Sequence, residues 1–159
     1  MKNAKLPLGL FLVFALTLTI ISCKPGGPVY EKYLKMKNST WDRFDQKLFE
    51  IPIEDPSYNI DINFVVRVTS KLAYDELPFY IILTTPAGEE RIREIKIPVR
   101  ESGKMVIELK GNVYETRIEL WKEINISQKG KCKISIENMI PKIQTEGIDE
   151  IGIVVTKSK

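Results

Sequence analysis

The chain has 159 residues, with 24 basic residues, 21 acidic residues and no histidine. A formal net charge of +3 is too small to indicate a nucleic-acid-binding surface. Without histidine there is no Ser-His or Cys-His nucleophile pair, and the commonest general base and the usual zinc ligand are missing. The composition therefore argues against an enzyme, and we expect neither a cofactor nor a bound metal.

The first residues have the pattern of a bacterial lipoprotein signal. Lys2 and Lys5 precede an apolar run at residues 6–21, which is shorter than the about 20 apolar residues that a helix needs to cross a bilayer. The run leads into Ile20-Ile21-Ser22-Cys23, which resembles the lipobox cut by the lipoprotein signal peptidase. We therefore predict a signal peptide at residues 1–22 and lipid attachment, with palmitate as the expected acyl group, at Cys23. The alternative is a retained transmembrane anchor.

A short tether and one domain follow this signal. Residues 23–29 contain the lipid anchor and a tether rich in proline and glycine, of which residues 24–28 reach about 15–18 Å when fully extended. The leader supplies two lysines and no acid, so the remaining chain is almost balanced in charge. Residues 30–159 suit a single domain, which this tether would hold close to the membrane surface.

Cys132 is the second of two cysteines, and no disulfide framework is expected. It alternates with Ile134 and Ile136, a pattern that predicts the buried face of a strand. One interpretation of Cys132 is a small buried hydrophobic residue. The other is a reactive or intermolecular thiol.

Alternating apolar and polar residues predict an all-β domain. The clearest strand is Ile60–Val68, in which every second residue is apolar. Residues 77–85 are more uniformly apolar, which predicts a central strand, and Pro86-Ala87-Gly88 predicts a hairpin turn after it. Residues 131–139 also alternate. Weaker strand patterns lie at residues 49–53, 92–98, 105–109, 113–114, 118–124 and 151–156, while residues 29–38 suit either a short helix or an edge segment.

The spacing of these strands predicts the architecture. About eight strands at short, regular intervals, with no convincing long helix, are typical of an antiparallel β-sandwich. Pro52 and Pro56 place the strand at residues 49–53 at a sheet edge or end it early. We expect a single sandwich of jelly-roll-like arrangement, with no further domain boundary after the tether.

Aromatic residues are the first candidates for a binding surface. Rings give a large contact area at a modest cost in entropy, so they could line a groove for a sugar or a peptide, or they could fill the core. Leu120 and Trp121 are adjacent, so in a regular strand one of them faces inward and the other outward. The surface candidates are Trp121, Tyr114 and Trp41, and the wider set adds Tyr58, Tyr74 and Tyr80.

Acidic residues provide weaker candidates. The pairs Asp42/Asp45, Glu89/Glu90 and Asp149/Glu150 could supply the two carboxyl groups that a glycosidase needs, but they lie beside lysines and turns, and solvated surface is the better interpretation. Asp55, Asp61 and Asp149 could hold calcium only if the fold brought them together. Their spacing matches no known calcium loop.

Seven segments in order resemble the GldH family of gliding-motility lipoproteins across nearly the whole mature chain. The segments are Tyr30-Glu31-Lys32-Tyr33; Asn38, Trp41 and Asp45 before Phe49; Tyr58-Asn59-Ile60; Tyr74 and Leu77-Pro78-Phe79 before Thr84-Thr85-Pro86-Ala87-Gly88; Gly111-Asn112-Val113-Tyr114-Glu115; Gly130 through Ile136-Glu137-Asn138-Met139; and Gly147-Ile148-Asp149-Glu150-Ile151-Gly152. The chain departs from the family pattern at Cys132, Asn138 and Ile140, where an aromatic residue, glutamine and arginine are usual.

The resemblance implies an envelope lipoprotein that is required for gliding, is linked to the type IX secretion machinery and has no known enzymatic activity. Its expected partners are the membrane, through the lipid on Cys23, and other gliding or secretion proteins of the envelope. Nothing in the sequence indicates an oligomeric state. Lys24 is not the aspartate that retains enteric lipoproteins at the inner membrane, and Cys23 is not followed by an acidic cluster of the kind seen in surface-exported lipoproteins. The expected location is therefore the periplasmic face of the outer membrane. The competing hypothesis is a carbohydrate-binding module on a lipid anchor.

Overall fold

A computed structural model describes residues 27–159, so the predicted signal peptide, Cys23 and the first part of the tether lie outside the described residues. The described chain forms thirteen strands and one short 3-10 helix. No helix within residues 27–159 is long and apolar enough to cross a bilayer. The elements are β1 (Tyr30–Lys35), η1 (Lys37–Ser39), β2 (Thr40–Asp42), β3 (Lys47–Ile53), β4 (Ile60–Val68), β5 (Glu76–Thr84), β6 (Glu90–Pro98), β7 (Arg100–Glu101), β8 (Lys104–Met105), β9 (Glu108–Lys110), β10 (Val113–Ile124), β11 (Gly130–Asn138), β12 (Gln144–Glu146) and β13 (Ile148–Lys157).

Two larger sheets contain most of the strands. One has five strands in the order β1-β13-β4-β10-β9, and the other has four strands in the order β3-β11-β5-β6. Every pairing within them is antiparallel. The all-β, antiparallel prediction is thus confirmed, as are the interior place of β5 and the edge place of β3.

The apolar faces of the two sheets share one core. Alternation in β4 buries Phe64 completely, and alternation in β5 buries Phe79. Their rings meet edge to face, with centroids 5.1 Å apart, a geometry that aromatic pairs favour. Cys132, Ile134 and Ile136 are also fully buried on β11, as the alternating pattern predicts.

Several strand predictions need correction. The estimate of about eight strands is too low, because short pairings such as β2–β12 and β7–β8 form two further small sheets. Residues 113–124 form one continuous strand, β10, rather than two. Residues 105–109 divide between β8 and β9, and β13 begins at Ile148 rather than at residue 151. The ambiguous residues 29–38 contain edge strand β1 and the 3-10 helix.

Antiparallel pairing gives the domain two distinct ends. At one end β1 begins, β13 ends, β4 begins and β10 ends. The connections at residues 54–59, 85–89 and 125–129 gather at this same end, where the Asn125 amide donates to Asn59 at 3.2 Å and Ser158 N–H donates to the Asn59 carbonyl at 3.0 Å. We call this the tether end. The opposite, far end contains residues 36–46, 69–75, 99–112 and 139–147.

Candidate functional site

An ion-pair network crosses the outer face of the five-stranded sheet, which points away from the core. Arg67 Nε donates to Glu115 at 2.7 Å, and Lys110 Nζ donates to the same carboxylate at 2.6 Å. The other arm of the Arg67 guanidinium donates to Glu150. These four residues, which we call the outer-face network, connect β4, β9, β10 and β13.

Strand register brings these side chains together. Arg67 on β4 is the Cα partner of Glu115 on β10 and of Glu150 on β13. Directly opposite side chains in an antiparallel pair lie within contact distance. The Glu115 side chain is only 9% exposed and that of Glu150 is 19% exposed, so both carboxylates are largely withdrawn from water. The Asp149 side chain is 17% exposed, so the expectation that the Asp149/Glu150 pair is solvated surface is wrong for both residues.

Electrostatic interactions within the outer-face network favour the charged forms of Glu115, Arg67 and Lys110. Burial alone raises the pKa of Glu115, but hydrogen bonds from Lys110 and Arg67 outweigh burial and place the pKa below its ordinary value. Burial opposes the charge on Arg67, whereas hydrogen bonds to Glu115 and Glu150 raise its pKa. The hydrogen bond to Glu115 raises the pKa of Lys110. Each charged group in the network is therefore stabilised by an opposite charge beside it.

An open cavity of about 540 Å³ lies beside this network. Asp149 forms its other wall, where it accepts a hydrogen bond from Ser39 at 2.7 Å and lies 4.0 Å from Lys35 Nζ. The lining contains both signs of charge, and its strongest donors and acceptors are already paired within the protein. This arrangement fits a clamp that fixes the strands of the sheet.

A stacked pair extends the clamp to the edge strand β1. The Arg67 guanidinium lies 4.5 Å from the centroid of the Tyr33 ring, within the range of a cation–π contact. The same ring covers Gly152, where an added Cβ would lie 2.3 Å from the Tyr33 Cδ1 atom. Only glycine leaves room for this packing. Tyr33, Glu115 and Gly152 belong to three of the segments that carry the family resemblance, and these segments meet on this face.

Two of the three surface candidates are buried, which fits the alternative interpretation that these rings fill the core. Trp41 is fully buried and Trp121 is 6% exposed. The Trp41 indole N–H donates to the Asp45 carbonyl at 2.9 Å, and its ring lies 5.7 Å from that of Phe79. Tyr114 is half-buried and packs against the core. The three candidates therefore do not form an exposed aromatic surface.

A β-bulge explains the error at Trp121. The pairing of β10 with β4 shifts between Glu119 and Trp121 and again before Ile124, and such a shift breaks the alternation of faces. Leu120 and Trp121 are consequently both buried. Asp61 holds the irregular backbone by accepting the Glu123 N–H at 2.7 Å, and its hydrogen bonds from Ser158 and from Glu123 lower its pKa.

The remaining tyrosines do not form a row. Tyr58 is half-buried at the tether end, with Lys157 Nζ 3.9 Å from its ring centroid. Tyr74 is half-buried near Lys142. Tyr80 lies on the outer face of the four-stranded sheet, beside a groove of about 410 Å³ that Met139 also lines. The carbohydrate-binding hypothesis required several exposed aromatic residues side by side, and this arrangement does not support it.

The other acidic candidates are also dispersed. Asp149 lies toward the far end beside Ser39, whereas Asp55 and Asp61 lie toward the tether end, so the three do not converge on a cation. Within residues 27–159, no group of three or more cysteine, aspartate or glutamate residues is placed to hold a metal ion. Glu89 and Glu90 are both exposed, as expected.

Cys132 is buried and free. Burial raises the pKa of its thiol to about 11, so the reactive thiolate is scarce at neutral pH. The interpretation as a small buried hydrophobic residue fits this environment. Asn138 and Ile140, the other departures from the family pattern, are 1% exposed, so all three departures change the interior and not the surface.

The outer-face network was missed in the sequence because its charged residues occupy polar positions that look solvated. One signal was available in β4, where Asp61, Asn63, Val65 and Arg67 form the second, mostly polar face of the strand. A lone arginine on a strand that pairs on both sides needs anionic partners on the neighbouring strands. The sequence does not indicate which acidic residues face Arg67, because the order of strands in a sheet cannot be predicted from neighbouring residues in the chain.

The fold and site define an all-β protein of antiparallel sheets whose outer face is fastened by ion pairs. The model of the family described as GldH lipoprotein matches residues 28–155, and the chain belongs to this family of gliding-motility-associated lipoproteins. The predicted resemblance is thereby confirmed, and the family is not a known enzyme family. Comparison with curated proteins finds no match.

Two solved structures show weak similarity over much of the chain. AlgX from Pseudomonas aeruginosa is 15% identical with a TM-score of 0.37, and the match covers 86% of this chain and 28% of that chain. Dimeric latent PorU from Porphyromonas gingivalis is 6% identical with a TM-score of 0.38, covering 81% of this chain and 13% of that chain. The chain thus spans less than a third of either solved chain, and neither similarity bears on its function.

Proposed function

We propose that this chain is a non-catalytic accessory component of gliding motility and of the associated type IX secretion machinery. In this proposal, lipid on Cys23 anchors it to the periplasmic face of the outer membrane, where the domain binds other envelope proteins. Membership of the GldH lipoprotein family is the observation that carries the proposal. The lipobox-like Ile20-Ile21-Ser22-Cys23 and the short tether support the anchor.

Deletion of the gene in a host that glides and uses type IX secretion tests the proposed role. Colony spreading, single-cell gliding and the amount of secreted cargo should all fall, and a plasmid copy of the full chain should restore them. A deletion strain with normal gliding and normal secretion would contradict the proposal.

Membrane fractionation followed by labelling tests the proposed location. A membrane-impermeant reagent should label the protein in lysed cells but not in intact cells, and the protein should co-fractionate with outer-membrane markers. Labelling of intact cells would contradict the periplasmic location. Co-fractionation with the inner membrane would contradict the outer-membrane assignment.

Crosslinking in living cells tests partner binding. Phe44 and Ile143 are 81% and 67% exposed, and they are adjacent at the far end because Arg43 N–H donates to the Ile143 carbonyl at 2.7 Å. A photoreactive amino acid at either position avoids disturbing the core. The proposal expects adducts with gliding or secretion proteins. Adducts with lipid alone, or none at either position, would count against partner binding through this end.

We also propose that the two larger sheets form one β-sandwich that unfolds as a single unit. The contact between Phe64 and Phe79 supports this, since each sheet covers the apolar face of the other. Denaturant unfolding followed by tryptophan fluorescence and by far-ultraviolet circular dichroism should give coincident transitions. Two separated transitions would indicate sheets that fold independently.

A further inference from the structure

The tether joins the domain at one end of the strands. Val29 N–H donates to the Val155 carbonyl at 2.8 Å, which fastens the chain to the last residues of β13 just before β1 begins. From this point β1 runs toward the far end. The position of the first fastened residue therefore determines which part of the domain lies nearest to any lipid on Cys23.

The tether is shorter than the domain, and this difference limits how the domain can be oriented on the membrane. Six residue steps separate Cys23 from Val29, which allows at most about 20 Å. β4 and β5 each have nine residues and rise about 3.3 Å per residue, so the domain extends about 30 Å from tether end to far end. The tether is too short to bring the far end to the leaflet with the tether end pointing outward.

We propose that the tether end is the membrane-facing surface of this protein. The connections at residues 54–59, 85–89 and 125–129, together with the C-terminal residues 158–159, lie against the lipid headgroups, and the far end is held away from the leaflet. This inference rests on the proposed lipid attachment at Cys23 and deepens it by assigning the surface that meets the bilayer.

The chemistry of the tether end indicates contact without insertion. Exposed lysines at 129, 157 and 159 are matched by exposed acids at 54, 55 and 89. A surface with balanced charges gains little from an anionic leaflet, whose attraction depends on clusters of basic residues. The acyl chains and the short tether therefore set the orientation, which should change little with ionic strength or with the fraction of anionic lipid.

Site-directed fluorescence on the full, lipidated chain tests the orientation. The protein is reconstituted in vesicles of phosphatidylethanolamine and phosphatidylglycerol that contain a headgroup nitroxide lipid, in a Cys132→Ala background. An environment-sensitive dye is attached to one new cysteine at a time. Ser127→Cys reports on the tether end, Ile143→Cys on the far end, and Glu94→Cys and Glu119→Cys on the outer faces of the two sheets. All four positions are exposed.

The expected result is quenching several-fold stronger at position 127 than at position 143, with the two face positions intermediate and with little change between low and high salt. Equal quenching at positions 127 and 143, or strongest quenching at position 94 or 119, would overturn the inference, since the domain would then tumble freely or lie on a face. Mass spectrometry of the same samples reports the lipid on Cys23. Unmodified Cys23 would overturn the proposed anchor itself, which separates that failure from a wrong orientation.

Discussion

At the residue scale, the outer-face network shows how charged side chains on neighbouring strands pair to stabilise this fold. Arg67 is held by two carboxylates and a tyrosine ring, and Glu115 accepts from two cations. Because Glu115 is 9% exposed, its partners cannot be replaced easily by water. Removal of its charge should leave Arg67 and Lys110 incompletely paired.

We therefore expect Glu115→Gln to lower the free energy of unfolding by about 1.5–3 kcal/mol, the range for hydrogen bonds to charged groups. Glu119→Gln is the matched control, because Glu119 is exposed on the same strand. Urea unfolding of the domain without its lipid anchor measures the free energy of unfolding of both variants. Equal stability of the two variants would show that the ion pairs contribute nothing.

The lowered pKa of Glu115 also predicts how the stability difference between wild type and Glu115→Gln depends on pH. The lowered pKa of Glu115 in the folded protein means that its ionised form stabilises the fold above the ordinary glutamate pKa of about 4.3. This contribution is lost as pH falls through the folded-state pKa. The stability difference between wild type and Glu115→Gln should thus be full at pH 7 and shrink below about pH 4. A difference that grows on acidification would contradict the assignment.

Cys132 gives a prediction about reactivity. Its full burial and raised pKa should protect the thiol from a maleimide or an aromatic disulfide reagent at pH 8, while denatured protein should react quickly. In the Cys23→Ser variant Cys132 is the one remaining cysteine, so any labelling comes from its thiol. Rapid labelling of the folded domain would revive the interpretation of Cys132 as a reactive cysteine.

At the scale of the elements, the quality of sequence prediction depended on whether a strand is regular. Ile60–Val68 was predicted with its exact bounds because one face alternates strictly. In β10, the polar residues Glu115, Thr116 and Arg117 interrupt the apolar pattern, and the bulge near Trp121 buries two adjacent residues, Leu120 and Trp121. The burial of Trp41 depends on the Asp45 carbonyl and on Phe79 from another sheet, which no local pattern contains.

The edge strand β1 offers a test of close packing between elements. Gly152→Ala should push the Tyr33 ring off β13 and disturb its contact with Arg67, at a cost of about 1–3 kcal/mol in the free energy of unfolding. Tyr33→Ala removes the obstructing ring, so the double variant should be less destabilised than the sum of the two single variants. Strict additivity would indicate that the ring does not pack on Gly152.

At the scale of the whole molecule, the domain presents two different ends on one short tether. The strand pattern and the family could be predicted from the sequence, whereas the lipobox and the closeness to a membrane stay predictions. The proposed orientation could not be predicted, because it depends on the pairing of β1 with β13, the first and last strands of the described residues. The proposed function therefore depends on Cys23 as the link between the folded domain and the membrane.

Complementation of the gene deletion with Cys23→Ser tests that dependence most directly. The variant should be folded, since Cys23 precedes the first strand, but it should be released from the membrane fraction and should fail to restore gliding, while the wild-type chain restores it. The folded state is checked by the protease resistance of the released domain. Full restoration of gliding by a released, folded Cys23→Ser protein would contradict the central claim that the lipid anchor is required for function.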